Sequence, residues 1–391
     1  MSCNEWKTIK LKDICDYKTG RLNSNAAEEN GIYPFFTCSP EPYRINSYSF
    51  DQDAIILAGN NANGKFHINY YSGKFDAYQR TYIMKTKDNG KVDNIYLYYY
   101  LSLQLNYLRE ISVGSATRFL TKTILDDIDI KYPPYSQMRS IGKILRTLDD
   151  KIELNNEMNK TLEEMAQSIF KRWFVDFEFP NEDGEPYKSS GGEMVDSELG
   201  MIPKGWEVVN YINTSDIQYG FAFKSKLFND KEGKPIIRIR DISNSYTPTY
   251  TTEEYNDLYI VTKNDILVGM DGEFKAHIWG GKDSLLNQRV LRIRPKDNNS
   301  IAYSYFSIKE PLRYLENSKV GTTVIHLGKK DIDNIKIVYP PNNLISKYRD
   351  IADNLINKIC ENKVEIMELS ELRDSLLPKL MSGEISLNNI I

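Results

Sequence analysis

The strongest constraint on this chain is that it is written twice. Slid on itself by 207 residues, the segment Gly114–Phe174 falls without a gap on Gly321–Met381. The matches include Leu120 with Leu327, Lys122 with Lys329, Asp126 with Asp333, and Tyr132-Pro133-Pro134 with Tyr339-Pro340-Pro341. Further along, Lys151-Ile152 meets Lys358-Ile359, and Asn155 meets Asn362. A shift of 200 residues aligns the two openings: Trp6 with Trp206, Asp16 with Asp216, Gly20 with Gly220. Between these anchors the match fades, apart from Tyr78-Gln79-Arg80 against Asn287-Gln288-Arg289. Solenoid repeats run about 20–50 residues, so periods this long describe a duplicated two-part module. Its order is variable block, shared block, variable block, shared block.

The shared blocks read as long helices. After Pro133-Pro134, apolar residues recur at Met138, Ile141, Leu145, Leu148 and Ile152, then Leu162, Ala166, Ile169 and Trp173. Steps of three and four make a heptad seam. The second block repeats it from Ile345 to Leu380, with Arg373 as an exception and Pro378 expected to end or kink the helix near Leu377. Asn155 and Asn362 lie near the seam centres. Antiparallel pairing at the midpoints would bring them face to face, a contact that fixes register at a cost in stability. A helix of about 38 residues would be roughly 57 Å long, a rigid spacer.

The variable blocks read as mixed α/β. Strand-like runs are Ala54–Ala58, Thr81–Lys85, Pro235–Ile239, Ile266–Met270 and Val290–Arg294, and helical stretches are Ile95–Glu110 and Ile301–Glu316. The expected fold class is α+β: two mixed α/β domains joined by two long helices in an antiparallel coiled coil, with an internal pseudo-two-fold duplication. The expected domains are 1–134, a first helix 135–180, a linker 181–205, a second domain 206–341, and a second helix with tail 342–391.

Composition narrows the function. The chain is 41% hydrophobic with a formal net charge of −4. A disordered chain would be less hydrophobic and more one-sided in charge, and a uniformly basic nucleic-acid binder would show a strong positive excess. Four cysteines without a C-x-x-C pair argue against a disulfide framework or zinc knuckle, and three scattered histidines form no metal motif. The opening residues lack the apolar core of a signal peptide, and no run approaches a membrane span. The expected location is the cytoplasm, with no membrane partner.

Three catalytic leads are present. Tyr132-Pro133-Pro134-Tyr135 is similar to the Asn/Asp-Pro-Pro-Tyr/Phe motif of amino-methyltransferases, but a leading Tyr cannot copy the amide or carboxylate acceptor. Its expected role is to end a strand and start a helix. Glu273-Phe274-Lys275 with Asp265 mimics an acid, Glu-x-Lys nuclease pattern, yet the spacing is loose and the first half carries Asn63-Gly64-Lys65 instead. Gly59–Gly64 lacks the Lys-Ser/Thr ending of a phosphate loop. No catalytic residue is expected.

The remaining polar residues suit DNA reading. Asn60, Asn61, Asn63, Lys65 and His67 lie in one expected loop, followed by Gln79 and Arg80. The second half offers Asp271, Lys275 and His277, then Asn287, Gln288 and Arg289. Asn, Gln and Arg read base edges bidentately. Ser115, Thr117 and Arg118, and Thr322, Thr323 and His326, precede the shared blocks and could hold phosphates.

The ordered set resembles the specificity subunit of a type I restriction–modification system over nearly the whole chain. Its carriers are the blocks opening on Trp6 and Trp206, the stretch SGGEMVDSELGMIPKGWE (Ser190–Glu207), the Pro-Pro pairs before the helices, and SLLPKLMSGEI (Ser375–Ile385). The resemblance implies a non-catalytic chain. Each recognition domain would read half of a split DNA target, and the helices would set the gap. Implied partners are double-stranded DNA, two modification subunits and two motor-nuclease restriction subunits. S-adenosylmethionine, ATP and Mg would belong to those partners, with no cofactor on this chain. Phe170, Trp173 and Phe174 exceed what a two-helix seam needs, so they are expected to dock a partner or a recognition domain. No segment is a basic block, so tight DNA binding should require the partners' positive charge. The rival expectations are a stand-alone DNA-modifying or DNA-cleaving enzyme and a scaffold without sequence preference.

Overall fold

The computed structural model describes residues 6–61, 64–87, 91–114, 117–296, 299–319 and 325–385. The chain divides into two compact units: Met1–Asp150 with Ser370–Ile391, and Lys151–Leu369.

In the first unit, Lys7–Lys10 pairs antiparallel with Asp129–Tyr132. The main sheet runs, in spatial order, Cys15–Thr19, Thr81–Thr86, Phe50–Ala58, Ile68–Ala77, Tyr33–Phe36, Tyr43–Ile45. Phe50–Ala58 alternates at first and then turns wholly apolar, and its last five residues are buried. Such a run suits a strand covered on both faces. One cover is the helix Asn94–Leu103, started by the Asp93 carboxylate accepting from the N–H groups of Ile95 and Tyr96. The expected helix Ile95–Glu110 is broken at Gln104, where the chain tightens before Leu105–Ile111.

The second unit repeats the frame. Glu207–Asn210 pairs with Lys336–Tyr339. A sheet ordered Ser215–Tyr219, Val290–Pro295, Ile266–Gly269, Ala276–Ile278 matches the first four strands above. The insert differs: Phe228–Asn229, Tyr250–Thr251, Lys234–Ile237, Ser284–Leu286 and Ile260–Val261 form a separate sheet. The expected strand Pro235–Ile239 stops at Ile237, because the Asp241 carboxylate accepts from the Arg238 N–H and closes a turn. Helix Ile301–Ser318 is anchored at its start by Asp353, which accepts from the Ser300 hydroxyl and from the N–H groups of Ile301 and Ala302. The stretch expected as a linker carries a hairpin, Met194–Ser197 with Gly200–Pro203. Nearby, Phe179 stacks on Tyr187 and on Trp206.

The first long helix spans Tyr135–Phe170 and continues as a wider turn over Lys171–Val175; the second spans Asn342–Ser382. Within the second unit they run antiparallel. Leu162, Ala166 and Ile169 pack in one cluster with Tyr348, Ala352 and Ile359. Asn155 and Asn362 are buried, but they do not face each other. Asn155 donates to Glu365 at 2.8 Å, and Asn362 donates to Asn159 at 2.9 Å. The register is displaced by about one helical turn from midpoint pairing, each Asn bonding a polar residue one turn away from the other Asn.

Two further expectations are corrected. Pro378 does not end its helix, which runs to Ser382. Proline removes one N–H, and the buried side chains of Leu380 and Met381 hold the last turn in the first unit's core. For Phe170, Trp173 and Phe174 only the partner-docking alternative is corrected; the alternative of packing on a domain of the chain itself holds. Trp173 and Phe174 are buried, and Phe170 packs on Phe174, Tyr303, Phe306 and Tyr348. The α/β domain of their own unit covers them. Among the described residues, no helix is long and apolar enough to cross a membrane.

Candidate nucleic-acid interface

The two units build the same crossing of three chain segments. In the first, the strand Phe50–Ala58 runs out at Gly59. The Gly59 N–H donates to the Arg80 carbonyl at 2.8 Å, and the Leu120 N–H donates to the Gly59 carbonyl at 2.9 Å. Asn60 then pairs with Phe119, and Asn61 with Arg118. In the second, the Met270 N–H donates to the Arg289 carbonyl at 2.8 Å, and the Leu327 N–H to the Met270 carbonyl at 2.8 Å. Asp271 is bridged to His326. The pattern therefore equates Arg80 with Arg289, Asn60 with Asp271, and Phe119 with His326.

An arginine faces a ring in each case. The Arg80 guanidinium sits 5.2 Å from the Phe119 ring centroid. Arg289 Nη1 lies 3.3 Å from His326 Nδ1, which is 2.7 Å from Asp271 Oδ1. Arg289 has a positive φ of 69°, a conformation uncommon for a residue with a side chain and worth a functional question. Neighbouring residues fix other polar groups. Gln79 donates to Asn23 at 3.0 Å, the Cys38 thiol donates to Asn60 at 2.8 Å, and Arg118 donates to the Ser112 carbonyl at 3.1 Å. Thr117 is half-buried beside Arg118.

Not every expected reader reaches this crossing. Gln288 is exposed, but Asn287 is 7% exposed. Its side-chain oxygen is buried, which removes the acceptor half of a bidentate base contact. His277 sits on the strand Ala276–Ile278 rather than in a loop. Burial, and then the charge of Lys363, lowers its pKa. Lys275 is exposed and paired to Glu273 at 2.7 Å; the hydrogen bond lowers the pKa of Glu273 and raises that of Lys275. His67 is half-buried, its pKa lowered by burial and then by exposed Lys65. Asn63, Ser115, Thr322 and Thr323 lie outside the described residues.

The catalytic leads resolve into structural roles. Tyr132 ends a strand and Tyr135 begins the first long helix, with the proline pair between them. The Asp265 carboxylate is held by Arg294 at 2.5 and 2.8 Å and by the Thr262 N–H at 2.7 Å. It is thus committed to neighbours, and Glu273 to Lys275.

Sequence reasoning passed over Leu22 and Phe221. The Gln79 N–H donates to the Leu22 carbonyl at 2.9 Å, and the Gln288 N–H donates to the Phe221 carbonyl at 2.8 Å. The matched glycines Gly20 and Gly220 were the available signal. A Cβ on Gly220 would lie 1.9 Å from the Asn287 carbonyl oxygen, and one on Gly20 2.0 Å from that of Ala77. Only glycine lets the backbones approach this closely.

Comparison with known proteins agrees with the repeat. A family profile described as the type I restriction modification DNA specificity domain matches residues 4–164 and 203–368. The chain is 28% identical to the type I restriction enzyme MjaIX specificity subunit of Methanocaldococcus jannaschii, over 75% of its own length and 70% of the relative's. It is 23% identical to the MjaVIII specificity subunit of the same organism, over 99% and 94%. In fold it is similar to the crystal structure of the type I restriction-modification system S subunit from M. genitalium, with a TM-score of 0.60, 16% identity and 96% of each chain covered.

Proposed function

The chain belongs to the type I restriction–modification DNA specificity family, and from that premise we propose how its two units read DNA. Each unit reads one half of a split target through its three-segment crossing. Gln79, Arg80, Asn60 and Asn61 serve the first half-site; Gln288, Arg289 and His326 serve the second. The carrying observation is that the same backbone crossing is built twice with different side chains on it. A shared frame with divergent tips suits two readers of different sequences. Arg and Gln match base edges in the major groove, while Arg118 and Thr117 have the side chains that meet phosphates.

The long helices, which contribute residues to both units, act as the spacer that sets the gap between half-sites. They also offer docking surface to two modification subunits, joined by two restriction subunits in the full complex. This chain supplies sequence choice and not catalysis; S-adenosylmethionine, ATP and Mg are held by those partners. Its place of work is the cytoplasm.

The test is methylome sequencing of the host with and without this gene. A split adenine motif should vanish with the gene; its persistence, with active partner genes, would overturn the reading. Arg80→Ala and Arg289→Ala should each disturb a different half of that motif.

A further inference from the structure

We propose that Phe221 is a specificity-determining residue of the second unit, making an apolar contact with a DNA base beside those read by Gln288 and Arg289. The proposal rests on the reading of that crossing as a DNA interface.

The backbone places it. The Phe221 N–H donates to the Leu286 carbonyl at 3.0 Å, and the Phe221 carbonyl accepts from the Gln288 N–H at 2.8 Å. Phe221 is thus bonded on both sides to the turn that carries the exposed pair Gln288-Arg289. The side chain is left 42% exposed next to the exposed polar pair.

The ring is also held. Its centroid lies 5.0 Å from that of Phe223 and 5.3 Å from that of Tyr259. Phe223 is buried in a small cluster with Ile236 and Leu285, so the platform beneath Phe221 is rigid. A ring fixed from below and open above loses little conformational freedom on binding. Phenylalanine meets thymine methyl groups in the major groove and can also wedge against an unstacked base. Both contacts use the same apolar face. The first unit has Leu22 at the equivalent hydrogen-bonded position, a smaller apolar side chain. The two halves thus carry different apolar tips on one frame.

The experiment compares Phe221→Ala, Phe221→Leu and Arg289→Ala, each assembled with the modification subunits. It reads methylation rates on DNA libraries randomised in either half-site. Phe221→Ala should slow methylation roughly 5- to 150-fold, the scale of a lost base–aromatic contact, or widen the bases accepted in one half-site only. Phe221→Leu should fall between it and the parent. Thymine replaced by uracil, position by position, should reproduce the loss if the methyl group is the contact. Enhanced 2-aminopurine fluorescence at one base step, absent with Phe221→Ala, should appear if the ring is a wedge. Parent-like rates and preferences for Phe221→Ala, with Arg289→Ala impaired, would overturn the proposal and leave the interface reading standing. Parent-like behaviour of both would overturn the interface reading itself and the proposal with it. Unfolding curves for each variant separate these outcomes from loss of fold.

Discussion

At the scale of single residues, close backbone approach and buried charge are the sensitive points. Gly220→Ala puts a methyl group into the Asn287 carbonyl, so the turn carrying Gln288 and Arg289 must move. Overpacking of this kind costs about 1–3 kcal/mol. A lower melting temperature is expected, together with lost selectivity in one half-site while the other is unchanged. Lys363 is a second such point. Its ammonium is buried, donating to the Ile278 carbonyl at 2.9 Å and to Ser245 at 3.3 Å, and burial lowers its pKa from 10.5. Below that ordinary value and above the lowered one, the unfolded chain binds more protons than the folded chain. Stability therefore rises with pH across that alkaline window. Lys363→Met should flatten that part of the curve, measured as the difference between parent and variant in denaturant unfolding from neutral pH to about pH 10. Polar residues were only half legible at this scale. The composition of Asn287-Gln288-Arg289 identified a reading turn, but composition does not say which side chain of a turn faces inward. Backbone packing against Gly220 turned Asn287 in and left Gln288 and Arg289 out.

At the scale of elements, the helix pair shows how a polar seam sets register. Asn155 keeps one buried oxygen without a hydrogen-bond partner, which costs stability. Asn155→Leu with Asn362→Leu should raise stability by about 1–2 kcal/mol, since the former partners Asn159 and Glu365 are partly exposed and can turn to water. The same double variant should loosen register, read as a blurred gap in the methylated motif; unchanged stability together with a sharp gap would count against this account. The helices were legible because their apolar residues recur at steps of three and four over many turns. So were the strands, from short β-branched runs. The register was not legible: pairing by midpoints assumes that the two Asn bond each other, whereas each takes a polar partner one turn away. A cover over Phe170, Trp173 and Phe174 was legible from their excess over the seam, but not its residues, because Trp206, Tyr303 and Phe306 stand far along the chain and nothing local announces them. Arg373, an exception in the seam, forms an ion pair with Asp149 at 2.7 Å, and Asp149 also accepts from Tyr99. A periodicity rule sees such a charge only as an interruption.

At the scale of the whole molecule, the near-balance of charge bears on DNA affinity. Phosphate neutralisation supplies much of protein–DNA binding, so the chain alone should bind its target weakly and lose that binding steeply with salt. Adding the modification subunits should tighten it; strong, salt-resistant binding by the lone chain, read in a titration over salt concentration, would contradict this. The division into units has another effect. The first unit is discontinuous, and Leu376, Leu380 and Met381 belong to its core. A chain ending at Leu369 should lose protease resistance in residues 6–150 while the second unit stays protected. The order of synthesis is thereby inverted. Domains generally form as units during translation, the N-terminal one first. Here the first unit needs residues 370–385, which are made only after the whole of the second unit. The unit made earlier is therefore completed later, and until then its unfinished core should be open to chaperones and proteases.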